Sequence, residues 1–401
     1  MLARALGYAA ANRRRFIDDV VRFAAIPSVS ADPGHRADVH RAATWLVRRL
    51  RRAGLSGVRA VRTGGHPLVV ARADAGRHRP TVLVYGHYDV QPPGPLVEWH
   101  SPPFTPTLTG DLLYGRGVSD DKGQLLTHVA AVESWLRTAG RPPVNVRYVF
   151  DGEEEIGSRS SMPFLDRMNA DLVVISDTEM AAPDVPSLTI SLRGNVKLTA
   201  VAQGRATDLH AGRFGGAVPQ AALELSRLLA SLSDHPMLRP ARDFASGPAL
   251  TVTSLRAGSG AGAIPARACA TLDIRIGPDQ RPEQIERFVR RFFRERTCSD
   301  VRVGLRRNGS AAGFSSQTDG WAVAAAARAC RRGFGHSPVL VRSGGSIPVA
   351  GRFAARGIPV LLLGFGLPDS RMHAPDERLS LHAFTRGVDT ATALLHELSQ
   401  P

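Results

Sequence analysis

Lysine is almost missing from this chain: it occurs only at Lys122 and Lys197, so nearly all of the 51 basic residues are arginine. Against 36 acidic residues the formal charge is +15, yet the arginines are scattered through predicted helices such as 287–296 and are not interleaved with aromatics, which make up 6% of the chain. A nucleic-acid surface needs a clustered basic stripe with stacking partners. That pattern is absent, and attraction of small carboxylate-bearing molecules is the milder consequence of the charge. Cysteine is nearly as scarce. Cys269, Cys298 and Cys330 are odd in number and far apart, with no C-x-x-C pair, which argues against a disulfide framework, a structural zinc knot and a dithiol redox motif. No apolar stretch approaches the ~20 residues needed to cross a bilayer, and Arg13, Arg14 and Arg15 interrupt the start of the chain before a secretory-type apolar run forms. The expectation is a cytoplasmic protein with neither a membrane nor a nucleic-acid partner. Internal repeats and low-complexity linkers are absent too. The 401 residues, 43% hydrophobic and 22% charged, describe an ordinary globular chain large enough for two cores.

Chemistry is written at the ends of four apolar runs. Residues 81–85 lead into Gly86, His87, Tyr88 and Asp89; residues 144–150 lead into Asp151, Gly152, Glu153, Glu154 and Glu155. Residues 170–176 lead into Asp177, and residues 360–364 are followed closely by His373. Between the first two runs a glycine-rich loop, 113–123, carries Asp120 and Asp121 into a helix. Strands that stop at oxygen and nitrogen ligands describe a metal site at the carboxyl edge of an open α/β sheet. Imidazole and carboxylate without thiolate suit zinc, with manganese or cobalt as substitutes. Five ligands exceed what one catalytic zinc with an open position takes; they suit two ions ~3.5–4 Å apart that share a carboxylate. Ser119 and Ser346 lack the surroundings of a nucleophilic serine.

Periodicity divides the chain. Helical spacing appears at 12–25 and 37–53. Strands and helices then alternate: 68–73, 81–85, helix 122–138, 144–150, short helix 160–168 and 172–176, which implies a mainly parallel sheet flanked by helices. From about residue 187 the order becomes strand 188–202, helix 218–233, strands 249–256 and 268–276, helix 282–296 and strand 301–306. This is the split β-α-β-β-α-β order of a ferredoxin-like α+β domain; the run Gly258 to Gly262 reads as a loop within it. Helix 319–332, strands 339–341 and 360–363, and helix 381–398 follow. The predicted organisation is a discontinuous α/β catalytic domain, 1–187 with 307–401, interrupted by an inserted domain, 188–306.

Six motifs carry a family resemblance: GHYDVQP (86–92), LYGRGVSDDKG (113–123), EEEIGS (153–158), DLHAGRFGGAV (208–218), RSGGSIP (342–348) and LLLGFGLPDSRMHAPDE (361–377). In this order they resemble the co-catalytic dinuclear zinc metallopeptidases that include carnosinase-type dipeptidases, carboxypeptidase G, aminoacylase and the acetylornithine and succinyl-diaminopimelate deacylases. The wording lies nearest the dipeptidase branch. The resemblance implies two zinc ions per subunit, one held by His87 and Asp177, the other by Glu155 and His373, with Asp120 bridging. It makes Glu154 the general base and Asp89 the acceptor that fixes the His87 ring. It implies a cis bond between Asp120 and Asp121. His210 becomes an oxyanion donor reaching the partner subunit's site, and Arg342, with Gly345 and Ser346 in the same loop, grips the substrate carboxylate. Both roles imply a homodimer formed through an inserted lid domain.

The resulting expectation is a dizinc hydrolase of dipeptides or short aminoacyl conjugates bearing a free carboxylate. The alternatives are an N-acyl amino acid deacylase or carboxypeptidase with the same metals and, from another class, a non-catalytic metal-binding or scaffold protein. The inserted domain is short for the carnosinase branch, and Ser370, Arg371 and Met372 depart from its usual residues.

Overall fold

The computed structural model describes residues 1–239, 247–258 and 262–400, so 259–261 of the glycine run lie outside the described residues. The chain divides into two compact units: Met1–Ile190 with Ser316–Val341 and Arg352–Pro401, and Ser191–Ser315 with Arg342–Gly351. Segment 342–351 groups with the second unit, although the order of elements along the chain assigns it to the outer segments. Its backbone is held there by Arg193, whose amide donates to the Gly345 carbonyl at 3.0 Å and whose Nε donates to the Gly344 carbonyl at 3.2 Å.

The first unit is built on a six-stranded sheet ordered Ser56–Val61, Leu68–Ala73, Asn145–Asp151, Thr81–His87, Leu172–Ile175 and Val360–Leu362. The last four strands are mutually parallel, and Leu68–Ala73 runs antiparallel beside them. The parallel strands are rich in Val, Leu and Ile and almost wholly buried, as strands covered on both faces must be. Thr81–His87 lies between the strand that follows it and the strand after that, so the chain reverses direction across the sheet at His87. That reversal opens a crevice beyond the carboxyl ends of the strands.

Helix Lys122–Ala139 leaves this crevice and is buried along most of its length, packed against Leu2–Ala11, Arg13–Ala24 and Leu381–Glu397. It stops at Gly140, whose φ of 74° gives the left-handed turn a glycine adopts at no steric cost. The N-terminal helical signal, read from 12, is two helices that meet at Asn12. Strand Ser56–Val61 escaped the sequence reading because it is an exposed edge without apolar alternation.

The second unit is a four-stranded antiparallel sheet ordered Ala249–Ala257, Arg267–Ile276, Gly194–Gln203 and Arg302–Ala311, with helices Ala221–Ser233 and Pro282–Arg296 packed on it. This is the ferredoxin-like arrangement. The single strand expected over 188–202 is two, Ser187–Leu192 and Gly194–Gln203. They part at Arg193, and the second strand starts at Gly194, where a Cβ would stand 2.6 Å from the Ala311 carbonyl oxygen. No helix among the described residues is long and apolar enough to cross a membrane.

Candidate metal centre

His87 ends its strand directly beside Asp151, which ends the neighbouring one. The residue before it must be small. A Cβ on Gly86 would lie 2.7 Å from Asp121 Oδ2, the atom that accepts the His87 amide at 3.1 Å. The His87 ring is 1% exposed, and its Nδ1 stands 3.0 Å from the main-chain oxygen of Asp89. Nδ1 therefore carries the proton, leaving Nε2 as a lone-pair donor.

Asp120 follows the loop out of strand Leu112–Tyr114 and is joined to Asp121 by a cis peptide bond. Its two carboxylate oxygens face different histidines: Oδ1 lies 2.9 Å from His87 Nε2, and Oδ2 lies 2.9 Å from His373 Nε2. His87 Nε2 is also 3.7 Å from Asp177 Oδ1, and His373 Nε2 is 3.2 Å from Glu155 Oε2. Two three-residue groups result, His87–Asp120–Asp177 and Asp120–Glu155–His373, each with its ligand atoms within 4.8 Å of one another. Ligands bound ~2.1 Å from a tetrahedral ion stand ~3.4 Å apart, so these spacings fit a cation in each group. The buried His87 Nε2 and Glu155 Oε1 have no hydrogen-bond partner, as coordinating atoms would not.

Electrostatics points the same way. Burial raises the carboxyl pKa values of Glu154, Glu155 and Asp177, and neighbouring acids raise them further. Burial also pushes Asp120 up, but the two imidazoles outweigh it and hold that carboxyl well below the usual range. His373 is pushed up to about 10, chiefly by Asp120 and Glu155. Burial opposes protonation of His87, but Asp120, Asp177 and Asp89 reverse the balance and raise it. So many carboxylates in one dry place call for compensating positive charge, which protons or divalent cations can supply.

The Asp89 carboxylate, whose Oδ1 stands 3.5 Å from His87 Nδ1, has further partners. Its Oδ1 accepts the Glu154 amide and its Oδ2 the Glu155 amide, both at 3.1 Å, and Ser30 Oγ donates to Oδ2 at 2.6 Å. Asp89 therefore caps the short turn Glu154–Ile156 and aims both glutamates. Gln91 was also missed by sequence reasoning; its Nε2 donates to Glu155 Oε2 at 2.8 Å. Glu377 was missed although it closes a quoted motif, because nothing in its spacing shows which backbone amides it meets.

In the second unit Arg342, Gly345 and His210 are exposed. Ser346 Oγ is approached by Asn195 Nδ2 at 3.3 Å and by Arg275 Nη1 at 3.4 Å. Arg275 had drawn no notice in the sequence, where it is one arginine among many.

An open sheet with paired imidazole–carboxylate groups about one shared aspartate, and a further half-buried glutamate beside them, defines a metal-dependent hydrolase. The chain belongs to peptidase family M20/M25/M40, whose model matches residues 83–397. It is 28% identical to the Cys-Gly metallodipeptidase dug1 of Schizosaccharomyces pombe, covering 96% of this chain and 95% of that protein. It is 25% identical to the Beta-Ala-His dipeptidase of Mus musculus, covering 100% and 96%. The solved structure of the dipeptidase Dug1p from Saccharomyces cerevisiae superposes with a TM-score of 0.84 at 26% identity, covering 100% of this chain and 98% of that one.

Proposed function

We propose that this protein hydrolyses the amide bond of dipeptides and short aminoacyl conjugates with a free carboxylate, using two divalent cations, zinc foremost. The carrying observation is that Asp120 turns one oxygen to each histidine, His87 and His373, so that two ligand groups share it. His87 and Asp177 would hold one cation, Glu155 and His373 the other. Such ions polarise the scissile carbonyl and bring the pKa of water towards neutrality.

The protein's own groups do the rest. Glu154, half-buried and raised in pKa chiefly by desolvation, takes a proton from the attacking water and delivers it to the leaving amine. Asp89 keeps it aimed. His210 donates to the developing oxyanion, a contact worth roughly 3–4 kcal/mol in such sites. Arg342, with Gly345 and Ser346, receives the substrate carboxylate. Arg275 joins them because it converges with Asn195 on the Ser346 hydroxyl. Arginine suits that task through its two-pronged donor geometry.

The second unit would serve as lid and dimer contact. Strand Ala249–Ala257 is the sheet edge, with Val252 40% and Leu255 51% exposed, a surface that a second copy could extend. The three free cysteines suit a reducing, cytoplasmic compartment.

The test is a panel of dipeptides against N-acetyl and N-succinyl amino acids, with metal content measured on the same preparation. Dipeptide cleavage with two cations per chain is expected. Release of acetate or succinate without dipeptide cleavage would replace the reading with a deacylase, and less than about one cation per chain would remove the catalytic reading altogether.

A further inference from the structure

Glu377 is 0% exposed and lies against the loop that carries Asp120. Its carboxylate meets four donors. Oε2 accepts from Arg116 Nη1 at 2.8 Å and from the Gly117 amide at 2.9 Å. Oε1 accepts from the Ser119 amide at 2.9 Å and from the Asp120 amide at 3.0 Å. Its own carbonyl takes the Gly115 amide at 2.9 Å. Arg116 is 1% exposed; it donates to the Pro92 carbonyl at 3.3 Å and sits 5.5 Å over the Trp99 ring.

These bonds have a direction that a plain buried ion pair does not need. A pair serving stability alone is often replaceable by apolar side chains at no loss. Here the carboxylate spends half its acceptor capacity on the amide of Asp120 and the amide before it. Fixing those amides fixes where the Asp120 side chain departs from the backbone. A ligand shared by two ions tolerates displacements of only ~0.2 Å. Glu377 also lies four residues beyond His373, so one short segment presents an imidazole to the site and orients the carboxylate facing it.

We propose that Glu377, clamped by Arg116, is a positioning residue that sets the Asp120 carboxylate between the two cation sites. The proposal rests on reading Asp120 as their shared ligand. It predicts an effect on cation affinity and turnover that is separable from folding.

The experiment titrates metal-free protein with Zn2+ and with Co2+ by calorimetry and visible absorption, alongside thermal melts and steady-state kinetics. Glu377→Asp keeps the charge and can still pair with Arg116, but it is one methylene too short to reach the Ser119 and Asp120 amides at the same time. It should melt near wild type when metal-free, yet bind cations ~10- to 100-fold more weakly, with a matching fall in kcat and a KM within about twofold. Its Co2+ spectrum should differ from wild type. Should Glu377→Asp fail to fold, Arg116→Lys keeps the charge without the fork, and a smaller loss of affinity in the same direction is expected. Wild-type cation affinity and kcat in the folded variant would overturn the proposal, whatever happened to its melting temperature. If wild type itself bound fewer than two cations per chain, the shared-ligand reading would fall first and this inference with it.

Discussion

Glu154 separates chemistry from binding. Glu154→Gln keeps the shape and removes the base, so kcat should fall ~10²- to 10⁴-fold with the fold and cation content intact; steady-state hydrolysis with metal analysis checks this. Arg275 and Arg342 should act oppositely: replacing either with alanine should raise KM ~10- to 100-fold, the loss of a charge-assisted hydrogen bond of ~1.5–3 kcal/mol. His128 belongs to stability. It is 5% exposed, its Nε2 lies 2.8 Å from Ser176 Oγ, and burial lowers its pKa to about 4. An unfolded histidine titrates near 6.5, so the unfolded state takes up the proton first as pH falls. The stabilisation is complete above pH 6.5 and is lost between 6.5 and 4. Urea unfolding at pH 7 and 4.5 should show His128→Gln losing roughly 2 kcal/mol less than wild type over that interval. At this scale the sequence displayed donor types at strand ends, which is why His87, Asp120 and His373 could be picked out. It could not display that Asp89 spends its carboxylate on the amides of residues 154 and 155, because spacing says nothing about backbone hydrogen bonds across 65 residues.

Among the elements, three helices are joined by one buried charge network. Arg49 on Arg36–Ala53 donates to Asp19 of Arg13–Ala24 at 2.6 Å and lies 2.7 Å from Glu133 of Lys122–Ala139. Arg49→Met removes the link between the two acids but leaves Asp19 with Arg52 at 2.5 Å and Glu133 with Arg15 at 2.6 Å, so it should cost about 1–3 kcal/mol in denaturant unfolding. Gly123 opens the last of these helices where a Cβ would meet the Val118 carbonyl oxygen at 2.1 Å. Gly123→Ala should cost about 1–3 kcal/mol or block folding, read from soluble yield and melting temperature. Buried strands such as Leu172–Ile175 and amphipathic helices such as Pro282–Arg296 were legible because burial on one or both faces imposes composition. Elements held by an edge, such as Ser56–Val61, carry no such imprint. The break at Arg193 was hidden because strand propensity on both sides is high.

For the whole molecule, the acids gathered around Asp120 must repel one another unless cations sit among them. Dialysis against a chelator should abolish hydrolysis and lower the melting temperature, and Zn2+ should restore both. Leu255→Asp on the exposed edge strand should shift the mass seen by light scattering from that of the proposed dimer to that of a monomer. The two-unit organisation was readable from the change of strand–helix order near residue 187, whereas the membership of 342–351 was not, since Arg193 holds that loop through main-chain atoms. One further outcome follows from the chain order of the ligand groups. The group His87–Asp120–Asp177 is complete once the first half of the polypeptide exists, but Asp120–Glu155–His373 waits for a residue close to the carboxyl terminus. A nascent chain therefore carries one of the two proposed cation pockets well before the other, and the pair can form only after residue 373 has been made.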